Sequence, residues 1–133
     1  MEKTSLSAGE AVFELLTTSE EVMKRVTKVF PVMTTEAALP YIAYRRAGLS
    51  QTPTKAKPQG ADTVKLELNC YAVTYAESVE LAEAVRGALE GWQWKADDGS
   101  GLTARSITLT DASEVWEDDA FVQMMVFEMS INH

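Results

Sequence analysis

The clearest pattern in the chain is an alternation of apolar and polar residues at 62–73. Val64, Leu66, Leu68 and Cys70 would share one face of a strand, with polar residues between them on the other face. Three further segments rich in β-forming residues are typical of strands, at 26–30, 40–47 and 102–110. The pattern therefore predicts a sheet with one face in a core and one face in water.

Segment 120–131 departs from this pattern because both of its faces are apolar. One face carries Phe121, Met125, Phe127, Met129 and Ile131, and the other carries Val122, Met124 and Val126. Two interpretations stay open: a central strand covered on both faces within the subunit, or a strand whose second face contacts a neighbouring subunit. In both cases we expect Met124 and Val126 to be covered, since an apolar strand left in solvent is prone to aggregate.

Two segments have the spacing of amphipathic helices, one at 8–17 and one that follows Thr74. Each is preceded by a capping-box sequence, which starts at Ser7 and Thr74 respectively. Ser19 and two following acids predict a short helical turn between them, and Gly91 is placed to end the later helix.

The predicted order is α-β-β-β-α-β-β, without a repeat or a linker-like change in composition. This order indicates one α+β domain over residues 1–133, with helices packed on a mixed or antiparallel sheet. Residues 1–25 form its helical start, and residues 48–61 read as a long polar loop with two prolines. Loops of that length are commonly functional or mobile.

A second predicted loop, at 92–101, holds two of the three tryptophans. Trp92, Trp94 and Trp116 all occupy loop-like positions in this reading. An aromatic residue at such a position either folds back on the core or anchors a partner. Both outcomes stay open for these three residues.

Charge and composition narrow the classes of function. The chain has 12 Lys and Arg against 20 Asp and Glu, a net charge of −8, which disfavours general nucleic-acid binding. No apolar run approaches a membrane span and no secretory signal is readable, so we expect folding in a cytosol. One cysteine and one histidine, Cys70 and His133, make a disulfide framework or a structural zinc site improbable.

Catalytic chemistry has little support in the sequence. No phosphate-binding glycine loop, nucleophile elbow or zinc-protease helix is present, and we expect no catalytic residues and no cofactor. The acids Glu114, Glu117, Asp118 and Asp119 could hold a divalent ion, although a solvated acidic turn is favoured. Cys70 lies on the apolar face of its strand, which indicates a core thiol rather than a nucleophile.

A set of segments from about residue 26 to the C-terminus carries packing signatures rather than a catalytic fingerprint. They are 30–31, 39–44, the polar loop that follows, 68–72, 74–77, 81–86, Leu89 with Gly91, 114–119 and the apolar strand after it. Together they resemble the small tail-completion, or tail-terminator, proteins of long-tailed phages. The 92–101 insertion departs from the usual compactness of the family.

This resemblance implies an α+β subunit of the virion tail, assembled in the host cytoplasm. It implies a non-enzymatic assembly protein that forms a ring, commonly a hexamer, which caps the tail tube and meets the neck proteins. The partners would then be further copies of itself, the tube protein and neck or connector proteins. A head-tail connector and a small-ligand or divalent-ion-binding domain stay as alternatives.

Charge is unevenly placed, and this suggests how an acidic subunit could form a ring. Four cations, Arg45, Arg46, Lys55 and Lys57, lie between 45 and 61 without an acid among them. The segment 111–119, with Glu117, Asp118 and Asp119, is acidic, so a cationic loop could reach a neighbour's acidic segment. The alternative is a solvated loop, or one that faces the tube lumen and its DNA.

Overall fold

Six strands form one mixed sheet, in the order β1-β2-β3-β6-β5-β4. The computed structural model describes residues 3–32, 38–51 and 62–133. The strands are β1 Lys28–Pro31, β2 Tyr41–Ser50, β3 Asp62–Ala72, β4 Trp94–Lys95, β5 Thr103–Glu117 and β6 Ala120–Asn132. The helices are α1 Gly9–Thr17, α2 Glu20–Met23 and α3 Tyr75–Leu89, after a short 3₁₀ helix, Ser5–Ser7. Strands β1 and β2 are parallel, and every other neighbouring pair is antiparallel.

One face of the sheet packs against the helices and forms the main core. The registers place Leu66 opposite Phe127, and Leu68 opposite Met125, on this face. Buried residues of the helices, including Leu16 and Leu81, pack on the same cluster. The α+β prediction, with helices on a mixed sheet, is confirmed.

The opposite face of the sheet carries a second apolar cluster that contains no helix residue among those described. We call it the second-face cluster: buried Tyr41, Ala43, Tyr71, Ala120 and Val122, flanked by Phe30, Leu39 and Met124. The rings of Tyr41 and Tyr71 stack with centroids 4.5 Å apart, and Phe30 meets Tyr41 edge-on at 5.8 Å. On the second face of β6, Val122 and Met124 therefore belong to this cluster, whereas Val126 does not.

Strands β5 and β6 form a long hairpin closed by Asp118 and Asp119. Both residues have positive φ, 51° and 61°, as a two-residue type I′ turn requires, and Asp tolerates that region better than most residues. All residues from 110 to 119 are exposed. In the distal hairpin, residues 110–126, β5 is therefore an exposed strand beside the partly buried β6, and we call this hairpin the hairpin arm.

The capping residues predicted from the sequence are correct at the starts of two helices and wrong at the start of one. Thr74 Oγ1 accepts from the Glu77 backbone N–H at 3.1 Å, and Ser19 caps α2. The Ser7 cap is wrong, because Ala8 occupies the N-cap of α1 and no side chain caps it. Ser7 instead lies within the 3₁₀ helix whose start is capped by Thr4.

Three predicted boundaries need correction. Strand β5 continues to Glu117, although the sequence favoured an end at Thr110, because pairing with the apolar β6 overrides the weak strand signal of acidic residues. Residues 48–50 belong to β2 and not to the long loop, whose remainder beyond residue 51 lies outside the described residues. The 92–101 insertion contains the two-residue strand β4. No helix in the described ranges is both long and apolar enough to cross a bilayer.

Candidate functional site: assembly surfaces

The hairpin arm is braced on the start of α3. The hydroxyl of Tyr75 donates to Glu114 Oε2 at 3.0 Å, and Gln123 Nε2 donates to the same oxygen at 2.9 Å. The Tyr75 and Phe121 rings meet edge-on with centroids 5.9 Å apart. The arm is therefore held in a fixed direction while most of its β5 surface stays open.

Two apolar side chains on this arm face solvent. Trp116 is 58% exposed and Val115 is 38% exposed, on opposite faces of β5. Large aromatic residues are enriched at the centres of protein interfaces, where they supply much of the binding energy. Trp116 therefore does not fold back on the core, and its role as a partner anchor stays a prediction.

The four acids singled out from the sequence do not converge. Glu114 lies on the helix-covered face, bonded to Tyr75, whereas Glu117 lies on the opposite face and Asp118 and Asp119 form the turn. Among residues 3–32, 38–51 and 62–133, no three His, Cys, Asp or Glu side chains are placed to hold a metal ion. Their arrangement gives the arm an acidic tip instead.

Met124 and Val126 lie on the face of β6 that is turned away from the helices. Both are half-buried, and Met124 packs beside the second-face cluster. Val126 stands between Glu67 on β3 and Asp111 on β5. A helix of the described part of the subunit does not cover them, which leaves the neighbouring-subunit interpretation standing for this face.

Two of the four cations predicted to contact a neighbouring subunit already bond within their own subunit. Arg45 forms an ion pair with Glu67 on β3, with Nη2 3.1 Å from Oε2, and Arg46 donates to the Leu6 carbonyl at 2.9 Å. Both remain exposed at the surface. Lys55 and Lys57 lie outside the described residues, so their predicted contact stays a prediction.

The two tryptophans of the 92–101 insertion take different positions. Trp94 is buried and pairs through β4 with Ala104, so it folds back on the core. Trp92 is exposed, and its indole N–H donates to the Gly87 carbonyl at 2.9 Å. It lines a groove of about 640 Å³ between α3 and the α1–α2 segment.

One polar cluster was missed by sequence reasoning because its members are far apart along the chain. Ser5 Oγ donates to Asp62 Oδ2 at 2.5 Å, and His133 Nε2 lies 3.5 Å from the same oxygen. A nucleophilic serine donates its hydroxyl hydrogen bond to the histidine base, whereas here Ser5 donates that hydrogen bond to the Asp62 carboxylate. The cluster ties the 3₁₀ helix to the sheet and has no triad geometry.

Cys70 lies in the core, between Ile42 on β2 and Gln123 on β6, and is fully buried. Its predicted burial is confirmed. Burial raises the pKa of the Cys70 thiol to about 12, because the charged thiolate is poorly solvated there. At pH 8 the group is a protonated thiol without access to reagents.

We expect Cys70 to resist thiol reagents under native conditions and to react within seconds after unfolding in guanidinium chloride. The native rate should follow the rate of opening, as both the pKa and the burial suppress direct attack. Time-resolved labelling with an aromatic disulfide reagent measures both rates. Labelling of the native protein at the rate of a free cysteine would contradict the assignment.

The fold and these surfaces describe a class of protein: a small single-domain α+β protein with an acidic hairpin arm and a second apolar sheet face. Residues 10–131 match the model of the family described as Tail completion protein gp17. The chain belongs to this family, and its role is a structural one in the assembly of phage tails.

Two solved structures share the fold. A chain in the virion of a native gene transfer agent (GTA) particle aligns with a TM-score of 0.75 at 15% identity, over 98% of this chain and 100% of that one. The structure of bacteriophage SPP1 gp17 protein aligns with a TM-score of 0.52 at 18% identity, over 97% and 88%. Comparison with curated protein sequences gives no match.

Proposed function

We propose that this chain is a tail-completion, or tail-terminator, subunit that forms a ring, caps the tail tube and joins it to the neck. The role is non-enzymatic, and the protein resides in the virion tail after assembly in the host cytoplasm. Its partners are further copies of itself, the tube protein and the neck or connector proteins. A hexamer is the ring order that the family resemblance implies.

The observation that carries the proposal is the hairpin arm. A strand exposed from residue 110 to 119, braced by Tyr75 and carrying an open Trp116, has the form of a contact element. The half-buried Met124 and Val126 on the other face of the sheet offer a second contact area. A subunit with two different contact areas associates head to tail, and such contacts close into rings when the rotation allows.

Sedimentation velocity of the purified chain, alone and mixed with tail tube protein, tests the ring. The proposal expects a discrete species several times the mass of the 14.6 kDa subunit, with or without tube present. A monomer under both conditions would contradict it. Gene order separates a terminator from a head-tail connector, because a terminator gene is expected just upstream of the tail-tube gene.

The groove beside Trp92 is where a small-ligand-binding alternative would act. Glu21, Glu80 and Glu83 line it with Arg25, so its ligand would carry apolar and cationic groups. A thermal-shift screen with metabolites and divalent ions tests this alternative. A shift that is lost in Trp92→Ala would support the groove as a ligand site in addition to assembly.

The charge contact between loop and arm gives a further expected result. Lys55→Glu with Lys57→Glu should weaken ring formation without lowering the melting temperature of the monomer, since each exposed pair is worth about 1 kcal/mol or less. Adding Asp118→Lys with Asp119→Lys should partly restore it. Sedimentation at low and moderate salt measures both.

Lys95→Glu with Arg105→Glu is the matched control, because both cations are exposed, lie at the end of β5 opposite the arm and change the net charge equally. This control should assemble like the parent. If the Lys55 and Lys57 variant also does so at every salt concentration, the loop is not part of the contact.

A further inference from the structure

Along the hairpin arm, the outer edge of β5 has no partner among the strands that the structure describes. Strand β4 pairs only with Thr103 and Ala104, at the far end of β5. Beyond it the end of α3 binds the edge: Gly91 N–H donates to the Ile107 carbonyl at 3.0 Å, and Leu109 N–H donates to Glu90 Oε2 at 3.0 Å. From residue 110 to 117, no described strand or helix pairs with this edge.

The backbone groups that face outward there can be assigned. The two-residue turn makes Glu117 and Ala120 a hydrogen-bonded pair, so alternate residues back along β5 bond to β6. The residues between them, Ala112, Glu114 and Trp116, direct their N–H and C=O groups away from the sheet. The Ala112 N–H confirms this direction, because it donates at 3.0 Å to the side chain of Asp111 and not to β6.

Natural edge strands are normally blocked by proline, lysine, bulges or covering segments. Both bulges of β5 lie before residue 112, and from there to Glu117 the strand is regular and has neither proline nor lysine. Its side chains are largely acidic at the tip. A second copy of the same edge would set Glu114 against Glu114, so like charges oppose a symmetric pairing.

The other end of the sheet offers a complementary edge. Within the described ranges β1 pairs with β2 and with no other strand, and the Val32 N–H donates to the Tyr44 carbonyl at 2.6 Å. Alternate residues, Lys28 and Phe30, therefore bond toward β2, whereas Val29 and Pro31 face outward. A proline whose missing N–H would point to solvent is the type of residue that an edge accepts.

The two open edges lie at the same level along the strands. Following the registers across the sheet connects Lys28, Tyr41, Tyr71, Val122 and Val115. The next rung on the same face connects Phe30, Ala43, Asn69, Met124 and Ser113. The open part of β5 is therefore level with the whole of β1.

Strand direction favours the same pairing. Strand β1 runs parallel to β2 and hence to β6, and β6 is antiparallel to β5. A rotation axis along the strands keeps these directions in every copy, so β1 of one copy meets β5 of the next in the antiparallel sense. Antiparallel pairing is the more stable one per residue.

We propose that β1 of one subunit adds to the open β5 edge of the next, so that the sheets continue around the ring. Val29 pairs with Glu114 and Pro31 with Ala112, through the backbone groups assigned above. Lys28 then stands opposite Val115 and beside Glu117 on the same face, which joins a cation to the acidic arm. This pairing rests on the proposed ring and names the contact that closes it.

A disulfide pair tests this register directly. In a non-hydrogen-bonded antiparallel pair the Cα atoms lie about 4.5 Å apart, within the range of a disulfide. Lys28→Cys with Val115→Cys should give, on mild oxidation, a ladder of covalent multimers up to the ring. The two single variants mixed in equal amounts should give only dimers. Each subunit then carries a single introduced cysteine, so it can be bridged to only one neighbour.

Lys28→Cys with Thr108→Cys is the control pair, since Thr108 is also exposed on β5 but lies beside the edge that α3 occupies. It should not form the ladder. Two results would overturn the register while the proposed function stands. One is a ring in sedimentation whose Lys28→Cys and Val115→Cys variant does not cross-link, and the other is equal cross-linking of this variant and the control pair. A parent chain that stays monomeric with and without tube protein would overturn both.

A backbone variant gives an independent measurement. Glu114→Pro removes an outward N–H, and Glu114→Ala removes the same side-chain bonds to Tyr75 and Gln123 but keeps that N–H. We expect self-association at least tenfold weaker for the proline variant than for the alanine variant, at similar melting temperatures. Equal association of the two variants would exclude pairing at this edge.

Discussion

Replacing Phe127 with Ala should lower the free energy of unfolding by about 3–5 kcal/mol, the largest effect that we expect for one side chain. Phe127 is fully buried in β6, between Leu66 on β3 and Leu109 on β5, at the centre of the helix-covered core. Removing the ring leaves a cavity that rigid neighbouring strands cannot fill. Because small domains are stable by only about 5–15 kcal/mol, much of the margin would be lost.

Val126→Ala is the control for this variant. Val126 is the next residue of the same strand but is half-buried on the opposite face. Its truncation should cost about 1–2 kcal/mol, from the two methyl groups lost. Urea unfolding followed by circular dichroism compares the two, and equal losses would mean that the core is not on the helix-covered face.

Replacing Met124 with Asp should weaken self-association at least tenfold while the monomer remains folded. Met124 is half-buried beside the second-face cluster, on the face of the sheet without a described helix. In the monomer a carboxylate there can still reach water, so the loss of stability should be modest. In an interface the same carboxylate would be desolvated without a partner, at a cost of several kcal/mol.

Met124→Leu keeps the volume and the apolar character, and it should associate like the parent. Paired melting and sedimentation measurements on the two variants separate the effects. Loss of folding in Met124→Asp would assign the second face to the monomer core. Unchanged association of a folded variant would remove this face from the ring contact.

Much of the fold could be predicted because its signals are local. Alternation located β3, and the Thr74 capping box located the start of α3, since both depend on side-chain period and on neighbouring backbone groups. The doubly apolar β6 left two interpretations open, a strand covered within the subunit or an interface strand; β6 does lie centrally between β3 and β5, and what covers its second face stays a prediction. These features need no knowledge of distant contacts.

The distal half of β5 could not be predicted in the same way. Its residues are acidic and exposed, and they form a strand only because β6 supplies backbone partners along its whole length. The open edge and its outward groups follow from that pairing. The interactions of Tyr75 with Glu114, and of Ser5 with Asp62, likewise join residues that are distant in sequence.

The measurement that tests the central claim most directly is electron microscopy of tail tubes assembled in the presence of the gold-labelled chain. If the chain is a tail-completion subunit, label should appear at one end of each tube, as a ring, and added chain should stop further growth at that end. Label distributed along the tube walls, or tubes that carry no label and elongate freely at both ends, would contradict that role.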